Sequence, residues 1–197
     1  YKISGKLQKG EIKLIKKIKN NFINEEIKKI YFSDLQVSSS FKPKSINFKG
    51  KGNYSLNKVN FYKIDFENNS KNDQIKINLN FNFNNNFKLN LINYTKPDNS
   101  IANVVVSLGK KNKDIKINSL SYKEGKNIIN INDLVFKENK VSSLKKINIK
   151  TENNDFFIKN DNNILIKGNR FDATNLIKFF SNQSDNNIFD EINSDIK

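Results

Sequence analysis

Apolar and polar residues alternate along most of the chain after Ser40. In "IKINLNFNF" (75–83) an apolar residue occupies every second position, and the alternation resumes after Asn84-Asn85-Asn86 in "FKLNLINY" (87–94). A period of two places successive side chains on opposite faces of a strand. The pattern therefore predicts a hairpin of strands with one apolar face and one face of Asn and Lys.

The same alternation predicts further strands that are separated by short turns. They are the segments 44–50, 53–57, 59–67, 101–108, 114–122, 127–136, 144–150, 155–160 and 163–168. The residues between them are mostly Gly, Asn, Asp, Lys and Pro, and Gly, Asn, Asp and Pro are typical of turns. Because links this short favour antiparallel neighbours, we expect a meander sheet. The first 18 residues also fit strands, whereas residues 20–30 fit a short helix equally well.

One helix is predicted near the C-terminus, over residues 172–182. Asp172 can accept hydrogen bonds from the free amides of a first helical turn. Apolar side chains then follow at helical spacing: Leu176, Ile177, Phe179 and Phe180. We expect this helix to close one edge or one end of the sheet.

The apolar face of the predicted sheet is large enough to require a cover. Its central strands contribute Ile75, Ile77, Leu79, Phe81, Phe83, Phe87, Leu89, Leu91, Val104, Val106, Leu108, Ile115, Ile117, Ile129 and Ile131. Fully burying one such side chain stabilises by about 1.5–3 kcal/mol, so leaving this set in water would forfeit tens of kcal/mol. Three covers are possible: a second sheet, the same sheet curling on itself, or a ligand or partner. The predicted helices are too few to form a covering layer.

The net charge of +15 makes nucleic acid and anionic membrane surfaces candidate partners. However, Arg170 is the only arginine, and the lysines are spread along the whole chain. This distribution is expected where an AT-rich genome drives tolerant surface positions toward Lys and Asn. We therefore interpret the positive charge as a result of genome composition more than of function, and we expect no nucleic-acid partner. A basic nucleic-acid-binding β-module is the least favoured alternative.

The sequence gives little support for catalysis, since a site without Cys or His would have to use carboxylates, Lys, Ser or Tyr. With no Cys and no His, disulfides, thiol chemistry and histidine metal sites are excluded. The adjacent acids at 25–26 and 190–191 are neighbours in sequence, which does not bring them together across a cleft. No phosphate-binding loop, nucleophile elbow or calcium loop occurs. We expect a protein that is not an enzyme and binds no cofactor or metal.

Two parts of the chain resemble the AsmA-like envelope proteins, the family that includes the YhdP and TamB types. "ILIKGNRFDATNLIKFF" (164–180) resembles the strand, glycine, hydrophobic-Asp-Ala and short helix found near the end of these proteins. "SIANVVVSL" (100–108) and "KEGKNIININDLVF" (123–136) are similar to the body of the family. The residues that match the terminal motif are Gly168, Phe171, Asp172, Ala173 and Leu176.

The resemblance implies a long, curved, taco-like antiparallel sheet with an open hydrophobic groove. In this family the groove carries phospholipid acyl chains between the inner and outer membranes, so a periplasmic role in lipid transport or outer-membrane biogenesis is implied. Residues 1–197 would be a single section of a larger sheet domain, and an inner-membrane anchor would lie in a segment absent from this chain. The alternative is a structural or adhesin-like β-sandwich whose core is sealed.

Overall fold

The computed structural model describes residues 1–20, 23–138, 140–161 and 163–175. Thirteen strands are assigned within these ranges. They are β1 (Lys2–Asn20), β2 (Ile23–Lys42), β3 (Ser45–Ser55), β4 (Tyr62–Lys71), β5 (Gln74–Phe83), β6 (Lys88–Leu89), β7 (Tyr94–Thr95), β8 (Ala102–Lys111), β9 (Asp114–Glu124), β10 (Asn127–Lys137), β11 (Lys140–Lys150), β12 (Asp155–Asn160) and β13 (Ile164–Arg170).

Eleven of these strands form one open antiparallel sheet. Its order is β1-β2-β3-β4-β5-β8-β9-β10-β11-β12-β13, so each strand pairs with its predecessor in sequence, apart from the excursion between β5 and β8. The predicted mainly-β antiparallel meander is confirmed. Strands β1 and β13 are the two edges, and β6 and β7 pair only with each other.

Tight hairpins connect the strands at one end of the sheet, which we call the hairpin end. Asn72 and Asp73 link β4 to β5 with φ of 46° and 62°. Positive φ at both central residues gives a turn whose twist matches that of the strands, and Asn and Asp tolerate this conformation. Asn112, with φ of 54°, occupies the equivalent turn between β8 and β9. The links that the sequence predicts between 67 and 75 and between 108 and 114 are therefore tight hairpins.

The first two strands are longer than the sequence suggested. Residues 23–30 belong to β2, so the alternative of a helix over 20–30 is wrong for the described residues. The two glycines between the segments predicted at 44–50 and 53–57 lie inside β3, which runs through both segments. Gly50 sits beneath the ring of Phe66, and Gly52 faces a register irregularity between Ser33 and Gln36 in β2. Close approach by neighbouring atoms, instead of a turn, accounts for both glycines.

The segment 84–101, which we call the cover, replaces the return strand predicted over 87–94. After β5 the chain leaves the sheet, forms the short β6–β7 pair and a 3-10 turn at Asn90–Ile92, and re-enters the sheet at Ala102 opposite Phe83. Asn93 adopts φ of 48° after the 3-10 turn, and Pro97 has no amide hydrogen for a strand ladder. Both residues interrupt a regular strand.

The described part of the predicted C-terminal helix is not helical. Residues 171–175 follow β13 as a loop and a turn, in which the Asp172 carboxylate accepts from the Thr174 amide at 3.0 Å. The remaining predicted helical residues, 176–182, lie outside the described residues. Within the described ranges, the 3-10 turn at Asn90–Ile92 is the only helical element.

Candidate functional site

One row of positions crosses the whole sheet from edge to edge, with an apolar side chain in nine strands and glycine in β1 and β3. Directly opposed residues in antiparallel strands project from the same face. Following the register from β1 to β13 gives the central row: Gly5, Val37, Gly50, Phe66, Leu79, Val106, Leu120, Ile131, Ile147, Ile158 and Ile166. With strands about 4.8 Å apart, the row is roughly 48 Å long.

The cover seals this apolar face at the end opposite the hairpin end, which we call the arm end. Ile92 and Tyr94 of the cover pack on buried residues from the ends of six strands. These are Phe83, Ala102, Tyr122, Ile129, Ile149 and Phe156. Ala102 is 0% exposed. A conventional hydrophobic core therefore exists here, and it involves only part of the face.

A hydrogen-bonded cluster of polar groups lies beneath the cover. The hydroxyls of Tyr94 and Tyr122 are 2.7 Å apart, and Tyr94 donates at 3.4 Å to the Glu124 carboxylate. Burial raises the pKa of the Tyr122 hydroxyl to about 12 and also raises the pKa of Tyr94. Both hydroxyls therefore stay neutral and available as hydrogen-bond donors at physiological pH.

Lys96 anchors the base of the cover. Its side chain is fully buried, and Nζ donates to the carbonyls of Asn84 at 3.0 Å and Pro97 at 3.2 Å. Burial lowers the pKa of this ammonium, whereas the nearby Glu124 and Asp98 carboxylates act in the opposite direction. Lys96 is therefore a structural group held by backbone carbonyls, and it is not presented to solvent.

Toward the hairpin end, the same face has no second layer among the described residues. Two further rows run parallel to the central row there. The first row contains Phe48, Ile77, Leu108, Ile117, Leu134 and Leu144, and Asn68 interrupts it. The second row contains Ile46, Ile75, Ile115, Phe136 and Val141, and Ser70 and Lys110 interrupt it. We call these two rows and the central row the open strip.

Residues of the open strip are more exposed than the buried residues of the covered core. Its central residues are half-buried, because each is flanked by neighbours on its own sheet and not by an opposing layer. Toward the edges exposure increases, to 58% at Val141 and 65% at Ile166. The strip is about 14 Å wide between its outer rows, since adjacent rows are two residues apart along a strand.

The structure divides the apolar residues predicted from sequence between these two regions. Those on the open strip are Ile75, Ile77, Leu79, Val106, Leu108, Ile115, Ile117 and Ile131. Those in or against the covered core are Phe81, Phe83, Phe87, Leu89, Val104 and Ile129. Leu91 is exposed on the 3-10 turn of the cover, away from both regions.

The residues of the terminal motif lie at the β13 edge. Gly168 approaches the backbone of Asp155 and Phe156 so closely that a β-carbon would lie 2.3 Å from the Asp155 carbonyl oxygen. The ring of Phe171 packs edge-on against Phe156 with 5.1 Å between centroids. Asp172 accepts from Asn93 of the cover at 2.9 Å, so it helps to hold the cover instead of capping a described helix. Ala173 is exposed, and Leu176 lies outside the described residues.

Several residues of the open strip were not singled out from sequence. They are Ile46, Phe48, Phe66, Leu120, Leu134, Phe136, Val141, Leu144, Ile147, Ile158 and Ile166. Of these, Leu120, Ile147 and Ile158 also pack against the covered core. The same alternation was present in their strands, but only the pairing register aligns them with Leu79 and Val106. The sequence pattern does not specify the pairing register, so it could not show which of these residues share a row.

The opposite face is predominantly polar. Asn103 donates to Asn80 at 2.8 Å across β5 and β8, and Lys49 pairs with Glu67 at 3.0 Å across β3 and β4. These groups meet solvent, where an ion pair contributes about 0–1 kcal/mol. Val105 is an exception, since it stands among Asn80 and Ser121 on this polar face.

Neither a metal site nor a membrane-spanning helix occurs in the parts of the chain that the structure describes. No group of three or more carboxylates is placed to hold an ion within residues 1–20, 23–138, 140–161 and 163–175. In those same ranges no helix has the length and hydropathy to cross a bilayer. The chain matches no family model, no curated protein and no solved structure.

Proposed function

We propose that this chain is a non-enzymatic, lipid-shielding section of a larger antiparallel sheet, with phospholipid acyl chains lying along the open strip. One observation carries the proposal: the central row crosses all eleven strands, with an apolar side chain in nine of them, and two further rows beside it have no second layer over them. A sealed β-sandwich would require an opposing sheet, which the described residues do not form. On this proposal, a hydrocarbon chain covers the open strip.

The dimensions of the open strip suit lipid tails. One leaflet of a bilayer has a hydrocarbon thickness of about 15 Å, half of the roughly 30 Å core. A tail of that length lying along the rows would span about three strands, so the strip of roughly 48 Å has room for several tails. The predominantly polar opposite face would remain in water.

The free energies of tail transfer favour exchange of lipid tails over their permanent retention on the strip. Removing a methylene from water stabilises by about 0.8 kcal/mol, so a tail on the strip is strongly favoured over a tail in solution. A tail in a bilayer is already out of water, which makes exchange between bilayer and strip nearly balanced. The strip also lacks polar side chains at regular positions that would fix a tail in one place. Such a surface shields tails while they slide.

The AsmA-like resemblance favours the periplasm as the location of the proposed activity. On this proposal the chain contributes to phospholipid transport between inner and outer membranes or to outer-membrane biogenesis, with an inner-membrane anchor in a segment outside this chain. The open antiparallel sheet supports the comparison, since an open lipid groove requires a one-sided sheet. Curvature of the sheet into a groove is part of the proposal.

The directly opposed pair Leu108 and Ile117 provides the test. Replacing both with Asn, a residue already common in these strands, should remove most of the phospholipid that co-purifies with the chain. Val105→Asn is the matched control, because Val105 projects from the polar face of the same strand. Lipid would be extracted and quantified by mass spectrometry, and the fold checked by circular dichroism.

Two results would contradict the proposal. One is an unchanged lipid content in the folded double variant. The other is a lipid-free wild-type chain that is a stable dimer and becomes monomeric in the double variant, since a second copy would then be the cover.

A further inference from the structure

Strands β1 and β2 continue beyond the sheet at the arm end as a two-stranded ribbon. The last residue of β2 that pairs with β3 is Tyr31, opposite Ser55. Apart from Glu11, which lies opposite Tyr31, residues 11–20 and 23–30 pair only with each other, and we call these two segments the arm. Ten residues of strand extend about 33 Å, so the arm is as long as the strands of the sheet itself.

The apolar face of the sheet continues onto the arm. Ile30 packs against the buried cluster of Phe32, Leu35 and Tyr54 at the arm end. Ile12 lies directly opposite Ile30, and it is 55% exposed. Apolar surface therefore passes from the sheet to the arm without interruption, and its exposure increases along the way.

An irregularity in β1 presents Ile15 to solvent. Lys13 pairs with Lys29 and Ile18 pairs with Ile27. Between these two pairs β1 advances by five positions, whereas β2 advances by only two. The extra residues cannot all join the ladder, and the chain bulges outward. Ile15, in this bulge, is fully exposed. Because only β1 and β2 pair along the arm, no neighbouring strand covers this isoleucine.

Lysines surround this isoleucine. The arm has six lysines and three glutamates, which is about twice the net positive charge per residue of the whole chain. Lys17 and Lys28 both pair with Glu26, at 3.2 Å and 3.1 Å, so one carboxylate serves two ammonium groups. The ammonium groups of Lys13 and Lys16 form no ion pair with the described side chains. The arm therefore combines excess positive charge with an exposed aliphatic side chain.

We propose that the arm docks on an anionic lipid bilayer, with Ile15 inserted at the headgroup boundary and the neighbouring lysines against lipid phosphates. Aliphatic side chains flanked by lysines are the combination that binds this interface, because the lysine stems can lie along apolar surface while the ammonium groups stay among headgroups. Nucleic acid would satisfy the lysines but leave the isoleucine in water, and this arm has no arginine for base or phosphate recognition.

This inference goes beyond the proposed function, because the arm could bind a bilayer whether or not the sheet carries lipid. Where both hold, docking places the apolar face of the sheet next to the bilayer. The arm end would then be the end at which tails enter or leave.

Vesicle flotation with the full chain tests the proposal. Binding should be strong to vesicles containing phosphatidylglycerol, weak to pure phosphatidylcholine, and reduced by salt. Ile15→Asn should weaken binding about tenfold, and replacing both Lys13 and Lys16 with Gln should weaken it by more than tenfold, since each lysine near an anionic surface contributes roughly fivefold.

Matched controls lie at the hairpin end. Leu165→Asn removes an exposed aliphatic side chain from the polar face there, and a double replacement of Lys111 and Lys113 with Gln removes two lysines that lie outside the open strip. Both should bind vesicles like the wild type. The proposal is overturned if the controls lose as much binding as the arm variants, if neutral vesicles bind equally well, or if an oligonucleotide displaces the vesicles. Because these readouts do not involve co-purified lipid, they separate this inference from the open-strip proposal.

Discussion

The buried side-chain amide of Asn154 donates a hydrogen bond of 2.8 Å to the main-chain carbonyl of Ile92 in the cover. The same amide group donates to Thr151 at 3.1 Å, and its oxygen accepts from the backbone amide of Asp172 at 2.9 Å. One fully buried side chain thus joins the cover, the loop between β11 and β12, and the segment after β13. It holds the covered part of the apolar face closed.

Replacing Asn154 with Ala should release the cover. The substitution leaves the Ile92 carbonyl and the Asp172 amide without their partner, and a buried polar group without a partner costs about 1–3 kcal/mol. We expect a decrease of that size in the free energy of unfolding, and faster hydrogen exchange in residues 88–95. Asn80→Ala, which removes an exposed amide on the polar face, should change stability by less than about 0.5 kcal/mol. Equal effects of the two substitutions would contradict this role of Asn154.

The contact between Phe66 and Gly50 predicts a second outcome. A β-carbon at Gly50 would lie 2.4 Å from the Phe66 ring, so Gly50→Ala must displace this ring from the central row. We expect a loss of about 1–3 kcal/mol in urea unfolding, as for overpacking of a core position. Replacing Phe66 with Leu in the same chain should reduce the cost of Gly50→Ala, because the ring is the obstacle.

Gly5→Ala is the control for this contact. Gly5 occupies the same row with no atom within 4 Å of an added β-carbon. Its substitution should be neutral or slightly stabilising. Similar losses at Gly5 and Gly50 would show that loss of glycine in general, and not the Phe66 ring, is responsible.

The tyrosine pair under the cover predicts a dependence of stability on alkaline pH. Folding raises the pKa of Tyr122 from its ordinary value of 10.0 to about 12, chiefly by burial. The folded state therefore favours the neutral hydroxyl, and this contribution is complete below pH 10 and is lost as the pH rises toward 12. Urea unfolding at a series of pH values should show stability falling across that window.

Tyr122→Phe separates this contribution from other alkaline effects. The variant should be less stable than the wild type at neutral pH, because the Tyr94 hydroxyl loses its 2.7 Å partner. It should also lose stability less steeply between pH 10 and 12. An unchanged slope would mean that Tyr122 is ionised as easily in the folded state as in the unfolded chain.

The strand pattern was predictable because burial on one face imposes a period of two. Segments such as 114–122 and 127–136 correspond to β9 and β10, since nothing in them competes with alternation. The predicted helix at 172–182 relied on Asp172 as a cap, but in the structure its carboxylate bonds to Thr174 in a turn and to Asn93 of the cover. A local pattern cannot reveal a partner 79 residues away in the chain.

The cover was unpredictable for a similar reason. Residues 87–94 alternate as well as any strand, and alternation alone does not distinguish a strand in the sheet from a segment folded over it. In the structure β5 pairs with β8, and Leu79 lies opposite Val106. This pairing leaves no place beside β5 for a strand formed by residues 87–94. The arm was predicted only in part, because residues 11–18 fit a strand, whereas residues 20–30 fit a helix and a strand equally well.

Thiol labelling tests the open strip most directly, because the chain contains no cysteine of its own. Single cysteines would be placed at Ile117 on the open strip, at Lys116 on the polar face of the same strand, and at Ala102 beneath the cover. The rate of reaction with a water-soluble maleimide would be measured for lipid-stripped protein and again after addition of phospholipid. We predict rapid labelling at 117 and 116, slow labelling at 102, and protection by lipid at 117 alone. Labelling at 117 as slow as at 102 in the lipid-stripped monomer, or no protection by lipid, would contradict an open lipid-binding strip.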